Sequence, residues 1–275
     1  MGNTIGSPNK LIKIEKAIPY DNEIRQAIKR GDINVVLDLL KNGLLDPNAF
    51  DKNRNTPLYW ACGSGQYLMV QILIEKGAKI NTLDNIGWTP LHVACQRGHD
   101  SIVEFLIKKG ANINIPDKGG NTPLWWACKC QNTSIVKYLI DAGANIDTPD
   151  KGGITPVHWV CEANHYSIMK LLVDKGAKID MPNKDGWTLL HIACFYERNL
   201  IVNLLLKKGI WITKELKEEF PKILTLDYRT QQILFLLYCT RKYNPDSVIG
   251  VDYLPRDIFK LILRFYIAQE KIDDL

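Results

Sequence analysis

The 275-residue chain lacks the long hydrophobic run that a membrane-spanning helix requires. Its most strongly apolar stretch, Ile233 to Tyr238, is much shorter than the ~20 residues needed to cross a bilayer. A secretory leader, with a basic start followed by an apolar core, is also missing. These absences predict a protein of the cytoplasm.

The chain also lacks the usual catalytic and metal-binding motifs. It has no phosphate-binding loop ending in lysine, no histidine-glutamate zinc helix and no nucleophile elbow. Cys128 and Cys130 are spaced as metal ligands can be, but no second pair of ligands accompanies them. We therefore expect a non-enzymatic protein with no catalytic residue, no cofactor and no metal site.

A strong excess of one charge is missing as well. The net charge of +5 is modest for this length, and the 35 lysines and arginines are spread along the chain. A nucleic-acid-binding surface needs basic residues clustered on one face, with stacking aromatic side chains between them. The composition therefore predicts no nucleic-acid partner.

The chain does contain a repeat of 33 residues, and this period decides the fold. Five threonines stand at this spacing, and each opens a similar phrase, such as TPLHVAC in the second copy. Only the last copy lacks the proline of this phrase. The five threonines are Thr56, Thr89, Thr122, Thr155 and Thr188.

Each copy is predicted to hold two short helices. The threonine side chain accepts a hydrogen bond from the first helical turn, and proline suits the first helical position. The first helix is expected to end at Gly65, Gly98, Gln131, Asn164 and Glu197, and the second at Gly77, Gly110, Gly143, Gly176 and Gly209. Polar stretches with aspartate or asparagine and glycine then predict tight turns between copies. Because helices of about ten residues are marginal alone, neighbouring copies must stack.

These motifs resemble the ankyrin-repeat family, whose signature is threonine-proline-leucine-histidine, an alanine, and a glycine-alanine end of the second helix. The resemblance covers residues 51 to 209, and a degenerate first copy precedes it, with Ile24, Ala27 and Gly31 at matching offsets. It implies an all-α solenoid with a helix-turn-helix and a β-turn in each repeat. We expect a flexible segment over residues 1–20, an array of about six repeats over 21–209, and a helical C-terminal extension over 210–275.

Cysteines, histidines and several tryptophans also recur at fixed repeat offsets. The cysteine six residues after each threonine is predicted to be a small buried packing residue with a free thiol. The histidines are expected to hydrogen-bond locally and between copies. Trp60, Trp126 and Trp159, four residues after their threonines, are interpreted as packing residues of the inner helix row.

The resemblance implies that a partner protein binds the concave face, which the turn tips and first helices line. Tryptophan and arginine are enriched in interface hot spots, and exposed apolar groups in series form a patch. The predicted partner-binding residues are Ile86, Trp88, Arg97, Lys129, Ile154, Trp187, Phe195 and Tyr196. In the alternative interpretation, the indoles of Trp88 and Trp187 lie flat across a neighbouring turn and fill the stack.

The N-terminus partly matches the pattern for myristoylation of Gly2. The match is imperfect because Gly6 stands where serine or threonine is usual, with Ser7 one place late. One myristoyl chain binds membranes weakly, so nearby lysines would supply the second attraction, namely Lys10, Lys13 and Lys16. The two interpretations are peripheral membrane association and an ordinary flexible start.

A last apolar stripe follows Leu254-Pro255 and is predicted to be helical. Residues 254–266 resemble the first helix of an F-box, which docks on the linker subunit of cullin ubiquitin ligases. Ankyrin arrays with such a tail also resemble poxviral ankyrin proteins. The docking residues would be Leu254, Pro255, Ile258, Leu261, Ile262 and Phe265. In the alternative interpretation this helix caps the last repeat.

Overall fold

The computed structural model describes residues 22–196 and 198–208. This part of the chain forms twelve helices of seven to nine residues and has no β-strand, which confirms the predicted all-α class. None of these helices is long and apolar enough to cross a membrane. The chain divides into two compact units, with the boundary between Asn112 and Ile113.

The first unit is a stack of three helix pairs. Its helices are α1 (Asn22–Arg30), α2 (Ile33–Lys41), α3 (Pro57–Gly63), α4 (Tyr67–Glu75), α5 (Pro90–Arg97) and α6 (Asp100–Lys108). Helices α1, α3 and α5 pack side by side as an inner row, and α2, α4 and α6 form an outer row. The pair α1–α2 lies at the degenerate first copy.

The second unit repeats this arrangement. Its helices are α7 (Pro123–Lys129), α8 (Thr133–Asp141), α9 (Pro156–Glu162), α10 (Tyr166–Asp174), α11 (Leu189–Phe195) and α12 (Asn199–Lys207). Here α7, α9 and α11 form the inner row, and α8, α10 and α12 the outer row. Each inner helix packs on its own outer helix and on the inner helix of the next copy.

Threonines cap the first helices as the sequence predicts. The backbone N–H of the third helical residue donates to the threonine Oγ1 at Thr56 (3.2 Å), Thr89 (3.3 Å) and Thr122 (3.3 Å). The proline that follows each of these threonines is the first helical residue. The fixed φ of proline and the threonine oxygen together explain why every such helix begins at the same repeat offset.

His92 and His158 complete two of these caps. The backbone N–H of Thr89 donates to His92 Nδ1 (3.1 Å), and that of Thr155 to His158 Nδ1 (3.4 Å). Nε2 of His158 lies 3.0 Å from the carbonyl oxygen of Met181, so this nitrogen carries the proton. Burial lowers the pKa of His158, which keeps the ring neutral. The predicted local hydrogen bond is confirmed at both histidines, and the predicted inter-copy hydrogen bond at His158.

The first helices end in a residue with left-handed backbone conformation. In the first unit this residue is glycine, with φ of 73° at Gly65 and 74° at Gly98. In the second unit it is Gln131 (φ 59°) and Asn164 (φ 60°). A Cβ on Gly65 would lie 2.8 Å from the His99 ring, so that position needs glycine for space as well as for φ.

Buried leucines and cysteines of the first helices fill the core. Leu58, Leu91 and Leu124 stand two residues after their threonines and are at most 1% exposed. The cysteines Cys62, Cys95, Cys128 and Cys161 are buried free thiols, as predicted. Burial raises the pKa of the Cys161 thiol to about 12, so it stays protonated and acts as a packing group.

The turns between copies are each held by one acidic or amide side chain. Its Oδ1 accepts hydrogen bonds of 2.8–3.0 Å from the backbone N–H groups two and four residues later. These side chains belong to Asp51, Asp84, Asp117, Asp150 and Asn183. The tight turns predicted from the aspartate, asparagine and glycine residues are therefore confirmed, with the side chain as the organising acceptor.

We expect Leu124→Ala to lower the free energy of unfolding by ~2–5 kcal/mol, because a fully buried large-to-small change leaves a cavity. Leu200→Ala is the matched control in the same unit, since Leu200 is 61% exposed, and it should change stability by less than about 0.5 kcal/mol. Urea unfolding followed by circular dichroism measures both variants. Equal midpoints for the two would contradict the stacked core.

A second expectation concerns the pH dependence of the Asp117 turn. Burial alone would raise the pKa of the Asp117 carboxyl, but hydrogen bonds from Asn121, Trp126 and Gly119 together hold it below its ordinary value of 3.8. A lowered folded-state pKa adds stability above the unfolded-state pKa and loses it as pH falls through the folded value. Lowering the folded-state pKa by one pH unit adds ~1.4 kcal/mol to the free energy of unfolding at pH values above the unfolded-state pKa.

The free energy of unfolding of the native chain should therefore exceed that of Asp117→Asn at pH 7, and the difference should shrink below pH 4. Chemical unfolding of both proteins between pH 7 and pH 3 measures it. Asp51 holds the equivalent turn of the first unit with a similarly lowered pKa, so Asp51→Asn should behave in the same way. A difference that stays constant over this range would rule out the carboxylate as its source.

Candidate partner-binding surface

Trp88 was expected to be exposed on a turn tip, but the structure buries it in the first unit. Its side chain lies against the His92 ring in a stacked geometry, with centroids 6.3 Å apart, and only 6% of the residue is exposed. The Trp88 backbone N–H donates to Asp84 Oδ1 (2.8 Å), as in the other turns. The expected exposure of Trp88 is therefore wrong, and its packing alternative accounts for the geometry.

Ile86 and Arg97 are both exposed in the first unit, and Ile86 is 54% exposed. Sequence reasoning missed two further exposed apolar residues outside the helices of this unit, namely Phe50 and Leu83. Both stand six residues before a threonine, and this shared offset was the signal. The Arg54 guanidinium carbon lies 4.5 Å from the centroid of the Phe50 ring. The first unit thus presents apolar and cationic side chains on its turns.

Trp187, Phe195 and Tyr196 meet in the second unit and form what we call the aromatic cluster. The Phe195 ring lies 5.0 Å from both the Trp187 and the Tyr196 ring, centroid to centroid, in edge-to-face geometry. Phe195 and Tyr196 are each 38% exposed, whereas Trp187 is half-buried. The proximity expected from the repeat spacing is present, and these rings make a continuous surface.

Polar groups hold the edge of the aromatic cluster. The Tyr196 hydroxyl donates to Glu162 Oε1 (3.1 Å), and Arg198 donates two hydrogen bonds to the Glu162 carbonyl oxygen (3.1 and 2.9 Å). Burial and the neighbouring Glu162 carboxylate raise the pKa of Tyr196, so the hydroxyl keeps its proton. The guanidinium of Arg198 lies 5.5 Å from the Tyr196 ring centroid.

Ile154 and Lys129 lie elsewhere in the second unit. Ile154 is half-buried on its turn, where its backbone N–H donates to Asp150 Oδ1 (2.8 Å). Lys129 is exposed at the end of α7. The structure therefore brings three of the predicted residues together in the aromatic cluster and gives Ile154 and Lys129 other neighbours.

The neighbours of Lys129 are Trp125, Trp126 and Trp159, which we call the tryptophan cluster. Lys129 Nζ lies 5.1 Å, 5.0 Å and 5.0 Å from their ring centroids, respectively. The Trp125 ring is 5.1 Å from that of Trp126 and 5.6 Å from that of Trp159. Trp125 is buried, while Trp126 and Trp159 are half-buried. The three rings therefore pack against one another on one side of the Lys129 ammonium group.

The three indole N–H groups differ in their hydrogen bonding. Trp126 Nε1 donates to Asp117 Oδ2 (3.0 Å), which fixes this ring on the turn. Nε1 of Trp125 and Nε1 of Trp159 are buried without a hydrogen-bond partner. Trp125 stands where three other copies have histidine, so its copy keeps the threonine cap but has no imidazole to accept the threonine N–H. Sequence reasoning interpreted Trp126 and Trp159 as packing residues and did not place Lys129 beside them.

Two sets of predicted residues lie outside the described residues. They are Gly2 with its neighbouring lysines, and the stripe Leu254, Pro255, Ile258, Leu261, Ile262 and Phe265. Myristoylation of Gly2 and the F-box-like role of residues 254–266 therefore stay predictions.

The chain matches family models of ankyrin repeats over most of the described region. One model matches residues 79–150 and 144–215, and a second ankyrin-repeat model matches residues 39–94. Together they reach from residue 39 to residue 215, more than half of the chain.

Similar proteins match about a quarter of this chain. A putative ankyrin repeat protein of fowlpox virus is 37% identical over 27% of this chain and 11% of its own length. Osteoclast-stimulating factor 1 of Danio rerio is 39% identical over 22% of this chain and 28% of its own length. Palmitoyltransferase akr1 of Emericella nidulans is 35% identical over 24% of this chain and 9% of its own length.

The chain thus spans less than a third of the length of each of these relatives. The match to the palmitoyltransferase is confined to its ankyrin region, and the ankyrin-repeat fold is typically non-enzymatic. The capped helix pairs, the 33-residue period and the matching family models agree with one another. The chain therefore belongs to the ankyrin-repeat family, and its repeats indicate a protein-interaction module.

Proposed function

We propose that the chain is a non-enzymatic adaptor of the cytoplasm that binds a partner protein through the inner helices and turns of its second unit. The observation that carries this proposal is the aromatic cluster of Trp187, Phe195 and Tyr196, which is packed internally yet leaves two of its rings well over a third exposed. Rings held in place by one another lose little conformational entropy on binding.

The surroundings of the aromatic cluster suit an interface. Binding hot spots combine aromatic anchors with polar groups at the rim. Here Glu162 accepts hydrogen bonds from the Tyr196 hydroxyl and from the Arg198 guanidinium, and these bonds hold the edge of the cluster. A partner would therefore meet an apolar centre with a preorganised polar border.

Other predicted contact residues keep supporting roles in this proposal. Lys129 and Ile154 belong to the same inner-helix and turn positions of the second unit. In the first unit, Ile86 and Arg97 offer an exposed isoleucine and an exposed cation, and Trp88 packs beside the turn that holds Ile86. The buried free thiols of the first helices fit a reducing compartment.

We expect Phe195→Ser combined with Tyr196→Ser to weaken partner binding by at least about 30-fold, the loss typical of truncated hot-spot residues. Partners are first identified by quantitative affinity purification with the native chain. Titration calorimetry of one purified partner against both proteins then measures the change.

Leu200→Ser is the matched control, because Leu200 is exposed on the outer helix α12 of the same unit. It should leave the dissociation constant unchanged. The far-UV circular dichroism of all three proteins should coincide. An unchanged dissociation constant for the folded Phe195→Ser, Tyr196→Ser variant would contradict the proposal that the aromatic cluster is the contact surface.

Residues 254–266 favour a second proposal, that the chain recruits its partner to a cullin-type ubiquitin ligase. The supporting observation is the Leu254-Pro255 opening followed by an apolar stripe at helical spacing. Ile258→Asp with Leu261→Asp should then abolish pull-down of a purified cullin linker subunit while the melting temperature stays at the native value.

The capping alternative predicts the reverse outcome for the same double variant. A helix that covers the last repeat would expose its core when charged, and the melting temperature would fall. Pull-down of the linker subunit by the native chain is the positive control, and its absence would remove the ligase proposal.

A further inference from the structure

We propose that the inner side of the first unit binds an acidic segment of a partner protein through Lys29, Arg54 and Arg97. By the inner side we mean helices α1, α3 and α5 together with the turns that Asp51 and Asp84 hold. The aromatic cluster belongs to the second unit. This proposal therefore adds a second surface, with a chemistry of its own, to the function proposed above.

The charges of the first unit are unevenly divided between its two helix rows. Helices α1, α3 and α5 carry four cationic residues and one carboxylate, whereas α2, α4 and α6 carry two cationic residues and four carboxylates. The inner row of the second unit, α7, α9 and α11, carries one cationic residue and one carboxylate. The positive charge of the inner side thus does not follow from the repeat itself, and it attracts a ligand of opposite charge.

The carboxylate of Asp51 lies at the centre of the inner side, but its oxygens already have partners. Its Oδ1 accepts the backbone N–H groups of Asn53 and Asn55, both at 2.9 Å. Its Oδ2 accepts the Trp60 indole N–H (3.1 Å) and lies 3.7 Å from Arg25 Nη1. Because only 5% of the Asp51 side chain is exposed, this carboxylate offsets the charge of Arg25 and offers little repulsion to an incoming anion.

Three cations of the inner side have no carboxylate to pair with, namely Lys29, Arg54 and Arg97. None of them forms an ion pair with any residue that the structure describes. Lys29 Nζ lies 4.0 Å from the Trp60 ring centroid, and the Arg54 backbone N–H donates to the Asp51 carbonyl oxygen (2.9 Å). An ammonium on an indole face keeps N–H donors for a carboxylate.

Arg97 extends this arrangement of cations to helix α5. Burial raises the pKa of Tyr59 to about 12, and the charges of Asp84 and Arg97 act on that pKa in opposite directions, so both lie near its hydroxyl. The Tyr59 ring meets the Trp60 ring edge to face, with centroids 5.6 Å apart. Two aromatic residues of α3 therefore join the cation of α1 to the exposed cation at the end of α5.

Arg54 has a left-handed backbone conformation, with φ of 63°. The four later copies have glycine at this offset, with φ of 79–91°, namely Gly87, Gly120, Gly153 and Gly186. A side chain costs free energy in this conformation, and such strain occurs at ligand-binding sites. The guanidinium carbon of Arg54 lies 4.5 Å from the Phe50 ring centroid, so the strained residue presents a positioned cation where every later copy has none.

The surroundings of these cations suit a protein segment. The turns before α3 and α5 lie side by side, because the Asn85 backbone N–H donates to the Asn53 carbonyl oxygen (3.1 Å), and they display the exposed side chains of Phe50 and Ile86. Guanidinium groups pair with carboxylates through two parallel hydrogen bonds. A nucleic-acid strand needs a longer run of cations to follow its phosphates. Aspartate or glutamate beside an apolar residue therefore fits the inner side best.

The test titrates the full chain with two labelled peptides of equal length, one repeating Glu-Glu-Leu and the other Gln-Gln-Leu. Fluorescence anisotropy should show binding of the glutamate peptide at least about tenfold tighter than that of the glutamine peptide at low ionic strength. This advantage should shrink when the salt concentration is raised from about 50 to about 300 mM, because exposed charges are then screened.

Arg54→Gly should bind the glutamate peptide about three- to fivefold more weakly than the native chain, the loss expected for one exposed ion pair. Its unfolding midpoint should stay at the native value, because glycine suits the backbone conformation of this turn. Arg97→Gln should cause a similar loss of binding. Lys76→Gln is the matched control, since it removes one exposed cation at the end of the outer helix α4, and it should bind like the native chain.

Four outcomes would overturn the acidic-segment proposal. They are equal affinity for the two peptides, native-like binding by the variant that combines Arg54→Gly with Arg97→Gln, an equal loss in Lys76→Gln, and tighter binding of a single-stranded oligonucleotide of the same charge. A lower unfolding midpoint of Arg54→Gly would contradict it as well, because Arg54 would then be required for folding. Phe195→Ser with Tyr196→Ser should bind the glutamate peptide like the native chain, so the proposals for the two units fail separately.

Discussion

Each helix pair between residues 22 and 208 has an apolar face that a neighbouring copy covers. The helices are seven to nine residues long, too short to be stable alone in water, and each unit solves this by stacking inner and outer rows. Leucine and cysteine at fixed offsets fill the space between inner helices, and one carboxylate or amide oxygen organises each turn. Stability within a unit is therefore close to a sum over neighbouring pairs.

The same stacking brings surface side chains of successive copies together. Residues at equal offsets in neighbouring copies come to lie side by side, as Trp126 and Trp159 do within the second unit. One tryptophan at the offset held by histidine in three other copies is then enough to bring a third indole into contact with them. A repeat protein can thus change its surface by a few substitutions on a framework that the leucines already stabilise.

Much of the fold follows from the period alone. Threonine caps, helix starts, turns and buried cysteines all depend on local rules or on an offset that repeats, so one copy predicts the next. The surface was harder to predict. Trp88 looked exposed because it precedes a cap, but its burial depends on how the Asp84 turn directs the indole onto His92. The contact of Lys129 with the tryptophan cluster could not be predicted either, because a repeat offset does not specify the conformation of a long side chain.

Two turns of the second unit carry backbone strain at an offset where the first unit has glycine. Gln131 and Asn164 adopt left-handed conformation where the first unit has Gly65 and Gly98, and a residue with a Cβ costs about 1 kcal/mol in that conformation. The turns after α7 and α9 therefore store energy beside the tryptophan cluster and the start of the aromatic cluster. A glycine at either position would relieve this strain, so Gln131→Gly and Asn164→Gly differ from most glycine substitutions in having a favourable local term.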